Sequence, residues 1–383
     1  MLILINFKTI VFFAQKIHLG RIKMMHIKSL INKIFYPRPE VVLGVDIGFD
    51  RVKVVQLNMK GRGMPEVTDY VLADLPQELR GTGLTTNTED IANFLSDLIK
   101  KHGFGAKDCV FSIGGRNAFV REITMPPMSE EEMQQAITWD SAQYVPYEAD
   151  TYYVDFAVFG ELNEEGQQPV ILVASPKDVV DALLDVGEAL ELNILKLDID
   201  VLSWYRTMPD KYSDFILLHL GRTYSLMTIF QKGAPVAQRS IQTGGLTFGK
   251  IIAENMHVSI SDAMEILRTE NLLQSKAVEK EPVREALLGA VSELIKECRR
   301  TGDYYILNKK EASFTHLVLV GSGASLVGMP EIMDEQLDIK VERFNILKVV
   351  NFDSRFEKNK VQANAASLGV AIGAAMAGGA EDD

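Results

Sequence analysis

The order of apolar and polar residues predicts a strand hairpin near the start of the chain, followed by a third strand and a helix. Val41–Ile47 is an almost unbroken apolar run, typical of a strand buried on both faces. Gly48–Asp50 interrupts this run, and Val52–Leu57 then alternates apolar and polar residues, which predicts a hairpin. Val67–Leu75 is predicted as a third strand. A helix capped by Thr88 and ended by a glycine follows it.

The same order returns in the second half of the chain. Phe215–Leu220 is another apolar run, Gly221 interrupts it, and two further predicted strands follow. Gly244-Gly245 then leads into a helix. This recurrence of strand, glycine turn, two strands and helix indicates an internal duplication of one α/β unit.

A block of different character separates the two rounds. Residues 118–198 predict the order β-α-β-β-α-β, which suffices for two helices packed on one sheet. Ser129 and Glu132 form a capping box that opens a helix running to about Tyr144. Pro176 is expected at the first position of the second helix, and Ile194–Leu197 is the last predicted strand of the block.

The remaining pattern predicts three helices and one strand. Ser259 caps a helix, and Pro282–Asn308 forms a long amphipathic helix with an apolar face. Leu317–Val320 is a buried strand, and Ala363–Ala377 forms a final helix. The last helix is rich in Ala and Gly, so its backbone is expected to approach a neighbouring backbone closely.

Composition narrows the class of protein. The chain has 383 residues, 47% of them hydrophobic, and a formal net charge of −12. Residues 1–40 carry a net charge of +6, so the remainder is strongly acidic, which argues against nucleic-acid binding. Its two cysteines, Cys109 and Cys298, lie in apolar surroundings and are interpreted as buried thiols of a reducing cytoplasm. No segment after residue 40 is predicted to span a bilayer.

The first 40 residues allow two interpretations. Residues 1–14 resemble the apolar core of a signal peptide, but Lys8 breaks that core and no small-residue cleavage site follows. Residues 1–23 either belong to the protein or precede a true start near Met24 and Met25. His26–Tyr36 has one apolar helical face. It is either a helix packed on its own domain, which we favour, or a membrane-surface helix.

Three glycine-containing turns suggest nucleotide chemistry. Small residues in a turn between two strands let backbone N–H groups approach phosphate oxygens, and a nearby carboxylate can hold Mg²⁺. Gly44–Gly48 with Asp46 fits the first such turn, and Leu220–Thr223 fits the second. Gly321–Ala324 follows a buried strand and fits a loop beside a base and ribose. Each turn is weak evidence alone, but their order within a duplicated fold strengthens the case.

These motifs resemble the phosphate 1, phosphate 2 and adenosine motifs of the actin, heat-shock chaperone and sugar kinase superfamily. The inserted block resembles the 1C subdomain of the cell-division protein FtsA and of PilM. Five stretches resemble the PilM family specifically: Phe119–Ile123, Met125–Ser129, Gln143–Pro146, Val170–Lys177 and Leu317–Pro330. The resemblance covers residues 41–378. It implies an α/β actin-like ATPase fold of duplicated ribonuclease H-like domains with an inserted 1C subdomain.

The resemblance also implies a division into subdomains. Subdomain 1A is expected to take residues 41–117, 199–213 and 346–383, and subdomain 1C residues 118–198. Subdomain 2A is expected at residues 214–247 and 315–345, with 2B at 248–314 between them.

The function that the resemblance implies is that of a cytoplasmic adaptor at the inner-membrane face, which binds ATP with Mg²⁺ between two lobes. The expected partner is the N-terminal cytoplasmic peptide of a PilN-like inner-membrane protein, docked near Phe119, Arg121 and Ile123. Contact with the cytoplasmic pilus motor ATPase is a further implied partnership. Membrane association is expected to be indirect or through the N-terminal segment.

The residues expected to bind nucleotide come from both halves of the chain. They are Asp46, Gly48, Arg51, Lys53, Gly221, Arg222, Thr223, Gly244, Gly245, Glu265, Arg268, Gly321, Ser322, Gly323 and Ala324. Asp46 is the candidate for Mg²⁺, and Asp46 and Asp198 are weak catalytic candidates. Asp198 and Asp200 are both predicted to lie where a helix begins after the inserted block, and a helix N-cap is the preferred role of Asp200.

Two departures from the family pattern bear on hydrolysis. His219 stands where the second phosphate motif usually carries Asp, and imidazole is a poor partner for Mg²⁺. The first turn carries Phe49-Asp50-Arg51, where small or hydroxyl residues are usual. Phe49 is expected to crowd a phosphate, and Arg51 to offset this with its charge. Hydrolysis is therefore expected to be slow or absent.

Three alternative functions remain at this point. An FtsA-like membrane-associated filament protein shares the inserted block, although the acidic C-terminus of this chain does not resemble an amphipathic anchor. A secretion-system adaptor is a second alternative. An active ATPase or sugar kinase on the same fold is the third, because fold alone does not determine activity.

Overall fold

The computed structural model describes residues 39–61, 63–81, 83–209, 212–308 and 314–379. The predicted helix at His26–Tyr36 and the rest of residues 1–38 lie outside this range. The described chain divides into two compact units. The first contains the residues up to Met208, with Leu347–Gln362 and the chain from Leu368 onward. The second contains Pro209–Ile346 and Ala363–Ser367.

The strands and helices are numbered in chain order. The strands are β1 (Val41–Ile47), β2 (Arg51–Asn58), β3 (Glu66–Asp74), β4 (Asp108–Ile113), β5 (Phe119–Met125), β6 (Tyr152–Val158), β7 (Gln168–Pro176), β8 (Asn193–Ile199), β9 (Phe215–Leu220), β10 (Ser225–Gln231), β11 (Ala234–Ile241), β12 (His316–Val320), β13 (Lys340–Arg343) and β14 (Asn351–Phe352). The α-helices are α1 (Thr88–His102), α2 (Glu130–Asp140), α3 (Lys177–Ala189), α4 (Asp200–Arg206), α5 (Gly245–Met256), α6 (Ile260–Thr269), α7 (Glu281–Asn308), α8 (Met329–Leu337) and α9 (Lys358–Gly379).

The main sheet of the first unit has the strand order β14-β3-β2-β1-β4-β8. β1 forms the predicted antiparallel hairpin with β2 and pairs in parallel with β4, which in turn pairs in parallel with β8. The carboxyl ends of β1, β4 and β8 therefore lie at one edge of the sheet. This is the edge at which α/β folds generally place their ligands.

Helix α9 packs against β1 at very short range. A Cβ atom at Gly44 would lie 1.8 Å from the carbonyl oxygen of Ala371. One at Gly373 would lie 1.8 Å from the carbonyl oxygen of Ser203 in α4. Glycine at both positions allows the backbones to approach this closely, as the predicted Ala and Gly composition suggested.

Two expectations about α9 need correction. The helix begins at Lys358, not at Ala363, because its first turn is polar and carries no apolar period. It is also long and apolar enough to pass a length-and-composition test for a membrane span, contrary to the expectation that no segment after residue 40 would. Because 61% of its apolar window is buried within the structure, we interpret it as a core helix of the first unit.

The inserted block has the predicted element order, but its last strand leaves the block. Strands β5, β7 and β6 pair antiparallel in that order, whereas β8 pairs with β4 in the main sheet. Helix α2 opens with the predicted capping box of Ser129 and Glu132 and ends at Asp140, earlier than Tyr144. A compact apolar cluster joins α2 to this sheet: Ile123, Met125, Met133, Ile137, Val145, Tyr152, Val170, Leu172 and Ala174.

Two predicted helix starts shift by one residue. Asn87 is the N-cap of α1, so Thr88 is its first helical residue rather than its cap. Pro176 ends β7 and is the N-cap of α3, which begins at Lys177. Gly103 ends α1 in the left-handed conformation, as predicted.

The second unit repeats the arrangement of the first. Its strands pair in the order β13-β12-β9-β10-β11, with β9 antiparallel to β10 and parallel to β12. Strand β1 has the same relation to β2 and β4. The structure thus supports the predicted duplication. Cys298 is buried in α7 and Cys109 in β4, and both thiols are free, as expected.

Candidate functional site

The first candidate turn is organised around an ion pair. Asp46 and Lys53 are register partners across the β1–β2 hairpin, and the Lys53 Nζ lies 2.9 Å from Asp46 Oδ2. Both side chains are largely buried. Lys53 Nζ would also lie 3.0 Å from a Cβ atom on Gly48, so the ammonium group sits beside the glycine turn. The hairpin therefore places one carboxylate and one cation together at the carboxyl end of β1.

The turn itself is closed by main-chain hydrogen bonds. The Gly48 N–H donates to the Arg51 carbonyl at 2.9 Å. The segment after β3 then fastens the tip, because Leu75 N–H donates to the Asp50 carbonyl and Gly81 N–H to the Phe49 carbonyl. The tip of the hairpin is thus held by its own chain on two sides.

The side chains of this turn modify two expectations. Arg51 forms an ion pair with Asp74 at 2.5 Å, so its charge is already compensated within the hairpin. Phe49 is 53% exposed, and its ring lies within 3.3 Å of the position of a Cβ on Gly81. Phe49 therefore lies along the neighbouring segment. A phosphate contact from Arg51 would require the ion pair with Asp74 to open.

The two aspartates near α4 occupy different elements. Asp198 lies within β8, not at the start of a helix as expected, and it is buried. Its Oδ2 accepts hydrogen bonds from Ser203 Oγ and Arg206 Nη1, each at 2.7 Å. Asp200 is the first residue of α4, and Ile199 is the N-cap. The Asp200 Oδ2 accepts the Gly115 N–H at 3.1 Å, so this carboxylate supports the turn after β4 instead of capping α4.

The glycines of the second unit meet backbone to backbone. A Cβ on Gly323 would lie 2.8 Å from the Gly221 carbonyl oxygen and 2.9 Å from the Gly245 nitrogen. A Cβ on Gly244 would lie 2.6 Å from the Arg222 carbonyl oxygen. The three predicted segments are therefore one structural feature, and each needs glycine because the others are so near.

The start of α5 is bonded to the neighbouring turn. Gly245 N–H donates to the Gly221 carbonyl at 2.9 Å, and Leu246 N–H donates to the Arg222 carbonyl at 2.7 Å. These two N–H groups are consequently engaged by protein oxygens. A phosphate bound in this region would therefore need other donors of the turn. Thr223 is one candidate, and it is half-buried.

The loop that contains Gly321, Ser322, Gly323 and Ala324 follows β12 directly. Gly321 has φ +87°, and a Cβ there would lie 2.6 Å from the His219 ring and 2.5 Å from the Leu220 carbonyl oxygen. His219 thus lies against the glycine loop. This contact joins His219, which replaces the usual Asp of the second phosphate motif, to the loop that resembles the adenosine motif.

Helix α6 lies beside the same loop. Val327 N–H donates to the Leu267 carbonyl at 3.3 Å. Glu265 and Arg268 are both exposed on α6, three residues apart. The structure therefore brings the C-terminal end of α6 to the predicted base-and-ribose loop.

Two contacts of this loop were not foreseen from the sequence. Arg343 Nη2 donates to the Leu326 carbonyl at 2.8 Å, and burial lowers the pKa of this arginine. Asn271 lies against Gly328, where φ is +86°. Neither residue belongs to a motif, so only the fold reveals them.

The three residues expected to bind a partner differ in exposure. Arg121 is exposed, and its Nη1 donates to the Tyr144 carbonyl at 3.3 Å. Phe119 is partly buried against the apolar cluster of the inserted block. Ile123 is a member of that cluster and is only 7% exposed, so it is a core residue and not a surface contact. The expectation for Ile123 is corrected accordingly.

The described residues offer few ligands for direct coordination of a metal ion. They contain no group of three or more His, Cys, Asp or Glu side chains placed to hold a metal ion. Asp46 supplies a carboxylate of the kind that Mg²⁺ prefers, but Lys53 is its partner here. These residues fit a nucleotide-borne Mg²⁺, whose remaining ligands would be phosphate and water oxygens.

Comparison with known proteins agrees with this arrangement. A solved PilM-PilN type IV pilus biogenesis complex contains a chain similar to this one, with 22% identity and a TM-score of 0.74, covering 90% of this chain and 100% of that one. The ethanolamine utilization protein EutJ from Carboxydothermus hydrogenoformans has 13% identity and a TM-score of 0.51, covering 92% and 98%. MreB5 of Spiroplasma citri, solved with bound AMPPNP, has 11% identity and a TM-score of 0.50, covering 88% and 95%.

At these identities the structural likenesses establish the fold, which is that of the actin-like ATPases. The family follows from sequence. The profile of the family described as Type IV pilus assembly protein PilM matches residues 44–378, nearly the whole described chain. The match begins within β1 and includes the turn of the first hairpin, the inserted block and the glycine loop after β12. The chain belongs to the PilM family of type IV pilus assembly proteins.

Proposed function

We propose that this protein is a nucleotide-binding adaptor of type IV pilus assembly, located in the cytoplasm at the inner-membrane face. It binds ATP with Mg²⁺ through the glycine turns, with Asp46 on the metal side and Lys53 on the phosphate side. It recruits the N-terminal cytoplasmic peptide of a PilN-like membrane protein. The family match over residues 44–378 is the observation that carries the proposal. The likeness to the solved PilM-PilN complex supports the partner.

The ion pair of Asp46 and Lys53 supports the nucleotide part of the proposal. A γ-phosphate offers Lys53 a stronger charge than one carboxylate does. When Lys53 turns toward phosphate, Asp46 is released to accept hydrogen bonds from the water shell of Mg²⁺. Nucleotide and metal are therefore expected to bind cooperatively, each favouring the arrangement that the other needs.

Calorimetry with the full chain tests this part. ATP and ADP are titrated with and without Mg²⁺, against wild type and Lys53→Met. We expect wild type to bind adenine nucleotide more tightly with Mg²⁺ than without it. We expect Lys53→Met to lose at least about tenfold in affinity, as for a lost charge-assisted hydrogen bond. Absence of binding by any adenine nucleotide would refute it. Turnover above about 1 s⁻¹, an ordinary enzymatic rate, would instead favour the active-ATPase alternative.

The peptide is proposed to dock on the surface of the inserted block near Phe119 and Arg121. Arg121 is exposed and Phe119 is partly accessible, which together offer a cation beside an apolar ring. A labelled peptide of the PilN-like partner is titrated against wild type and Arg121→Ala. Thr124→Ala, exposed on the opposite face of the same strand, is the matched control.

The expected result is a loss of about fivefold or more for Arg121→Ala and no change for Thr124→Ala. The few interface residues that carry most of the binding energy, arginine often among them, cost more than about 1 kcal/mol when truncated. Equal affinities for all three proteins would refute the placement of the peptide but leave the family assignment untouched. Contact with the cytoplasmic pilus motor ATPase is proposed as a further partnership, tested by co-purification with that ATPase.

A further inference from the structure

Strand β6 ends the sheet of the inserted block with one side uncovered. It is the last strand of its sheet, and among the described residues only β7 pairs with it. Strand β5, which carries Phe119 and Arg121, lies on the other side of β7. The outer edge of β6 is therefore a separate surface from the one proposed for the PilN-like peptide.

The backbone groups of every second residue of β6 point outward from this edge. The Thr151 carbonyl accepts the Lys177 N–H at 2.9 Å, and the Phe159 N–H donates to the Pro169 carbonyl at 3.2 Å. Partners in an antiparallel ladder alternate between bonded and non-bonded pairs, so the residues between these two contacts also alternate. Those whose N–H and C=O groups face away from β7 are Tyr152, Val154, Phe156 and Val158. Such an edge is a template on which another strand can pair.

One acidic side chain covers the middle of the edge. Asp155 Oδ1 accepts the outward-facing Phe156 N–H at 2.9 Å. The carboxylate therefore occupies the place that a backbone carbonyl of an added strand would take. An incoming strand must draw this carboxylate away before it can bond to Phe156.

The helix beside this edge adds negative charge. Tyr153, which lies on the same face of β6 as Asp155, donates its hydroxyl to Asp181 of α3 at 3.2 Å. Burial raises the pKa of Asp181 and the carboxylates of Asp185 and Asp178 add to this, whereas the Tyr153 hydrogen bond and the charge of Lys177 oppose it. Three carboxylates of α3 thus lie near one ammonium group.

Two kinds of added strand would meet this charge differently. The β6 strand of a second copy brings the same carboxylate, and like charges on paired strands destabilise the pair. A strand with lysine or arginine opposite Asp155 forms a pair of opposite charge. Its cation also draws the carboxylate from the Phe156 N–H, which can then bond to the incoming backbone.

We propose that the outer edge of β6 binds an extended segment of another protein that places a lysine or arginine against Asp155, and that this carboxylate excludes a second copy of the chain. Val154 and Phe156 pack partly buried on the α2 face of the sheet, and Val158 is 47% exposed. Alternate side chains of the bound segment are therefore expected to be apolar on that face. Main-chain hydrogen bonds supply affinity, and Asp155 selects the partner by attraction and repulsion.

Charge reversal at Asp155 lets the chain serve as its own probe. The Asp155→Lys variant presents the same edge with a cation in place of the carboxylate. Fluorescently labelled wild type is mixed with unlabelled Asp155→Lys or unlabelled wild type, and association is followed by analytical ultracentrifugation. We expect wild type to bind the variant at least about fivefold more tightly than it binds itself, as when an opposite-charge pair replaces a like-charge pair. Equal association with both, or none with either, would overturn the proposal.

Asp178→Lys is the matched control for the charge. Asp178 Oδ1 accepts the Val179 N–H at 2.9 Å, the same local contact, but on helix α3, which offers no strand edge. Wild type should bind this variant no more tightly than it binds itself. Association as tight as with Asp155→Lys would mean that net charge and not the strand edge decides, and the proposal would fail.

Asp155→Asn replaces the lysine variant in this test if urea unfolding shows that the latter does not fold. Asparagine keeps an oxygen that can accept the Phe156 N–H but has no charge. Wild type should therefore bind Asp155→Asn more tightly than it binds itself, and an affinity equal to self-association would overturn the proposal. The inference depends neither on nucleotide nor on the PilN-like peptide, so the failure of one proposal leaves the others standing.

Discussion

Replacing Gly44 with alanine probes the contact between the strand that carries Asp46 and the final helix. A Cβ at this position would lie 1.8 Å from the Ala371 carbonyl oxygen and 2.8 Å from the Ala375 nitrogen. Both are backbone atoms, so no side chain can rotate away, and α9 must retreat from β1. Overpacking of a core typically costs about 1–3 kcal/mol, and this contact belongs at or above the upper end, about 3 kcal/mol.

Gly289→Ala is the matched control for this prediction. Gly289 lies within α7, is exposed, and would place its new Cβ within 4 Å of nothing. Because alanine is favoured over glycine inside a helix, this variant should gain up to about 1 kcal/mol. One substitution is therefore expected to have opposite effects at two positions of the same chain.

Urea unfolding followed by tryptophan fluorescence measures both effects. The chain has two tryptophans. Trp204 is 2% exposed and packs against Gly369 of α9, whereas Trp139 is 86% exposed and contributes a constant background. The emission of Trp204 thus reports directly on the docking of α9. A Gly44→Ala variant within about 0.5 kcal/mol of wild type, the scatter expected for a harmless surface change, would refute the close packing of β1 and α9.

Three further predictions concern stability and thiol reactivity. Lys53→Met should lower the free energy of unfolding by about 1–3 kcal/mol, because it leaves Asp46 buried without its partner. Adding Asp46→Asn should restore part of this loss in the same urea assay. A double variant no more stable than Lys53→Met would contradict the importance of the pair. Gly321→Ala should cost about 1–3 kcal/mol in thermal unfolding because its φ is +87°, and a wild-type midpoint would count against the described loop conformation. Burial raises the pKa of the Cys109 and Cys298 thiols from 9.0 to about 12. As pH rises from about 9 to about 12, the folded chain therefore retains protons that the unfolded chain releases. The contribution of these thiols to the free energy of unfolding falls only over this pH range. A disulfide-exchange reagent at pH 8 should therefore find two reactive thiols only after unfolding, and rapid reaction of the native chain would contradict their burial.

Local signals in the sequence were sufficient for several features. The hairpin of β1 and β2 follows from an apolar run, a glycine and an alternating run. The capping box at Ser129 needs only residues that are neighbours in the chain. Gly103 likewise ends α1 because of its own conformational freedom. Each of these features is decided by residues within a few positions of one another.

Features that depend on distant residues were beyond sequence reasoning. Alternation along β5 does not reveal which face the inserted block covers, so Ile123 was assigned to a surface although it lies in the core. The partner of Arg51 is Asp74, 23 residues away, and its position depends on the register of β2 and β3. Strand β8 was placed with the block that precedes it because its pairing with β4 leaves no mark in either strand.

The contact between Gly44 and Ala371 also constrains how the protein is made. The first unit is discontinuous, since it uses the chain up to Met208, then Leu347–Gln362, and then the chain from Leu368 onward. During synthesis, β1 emerges more than 300 residues before the helix segment that covers it. Domains tend to fold as units once their segments are available, and contacts between such distant residues form slowly. The strand that carries Asp46 must therefore wait, with its α9-facing side uncovered, until α9 has emerged from the ribosome.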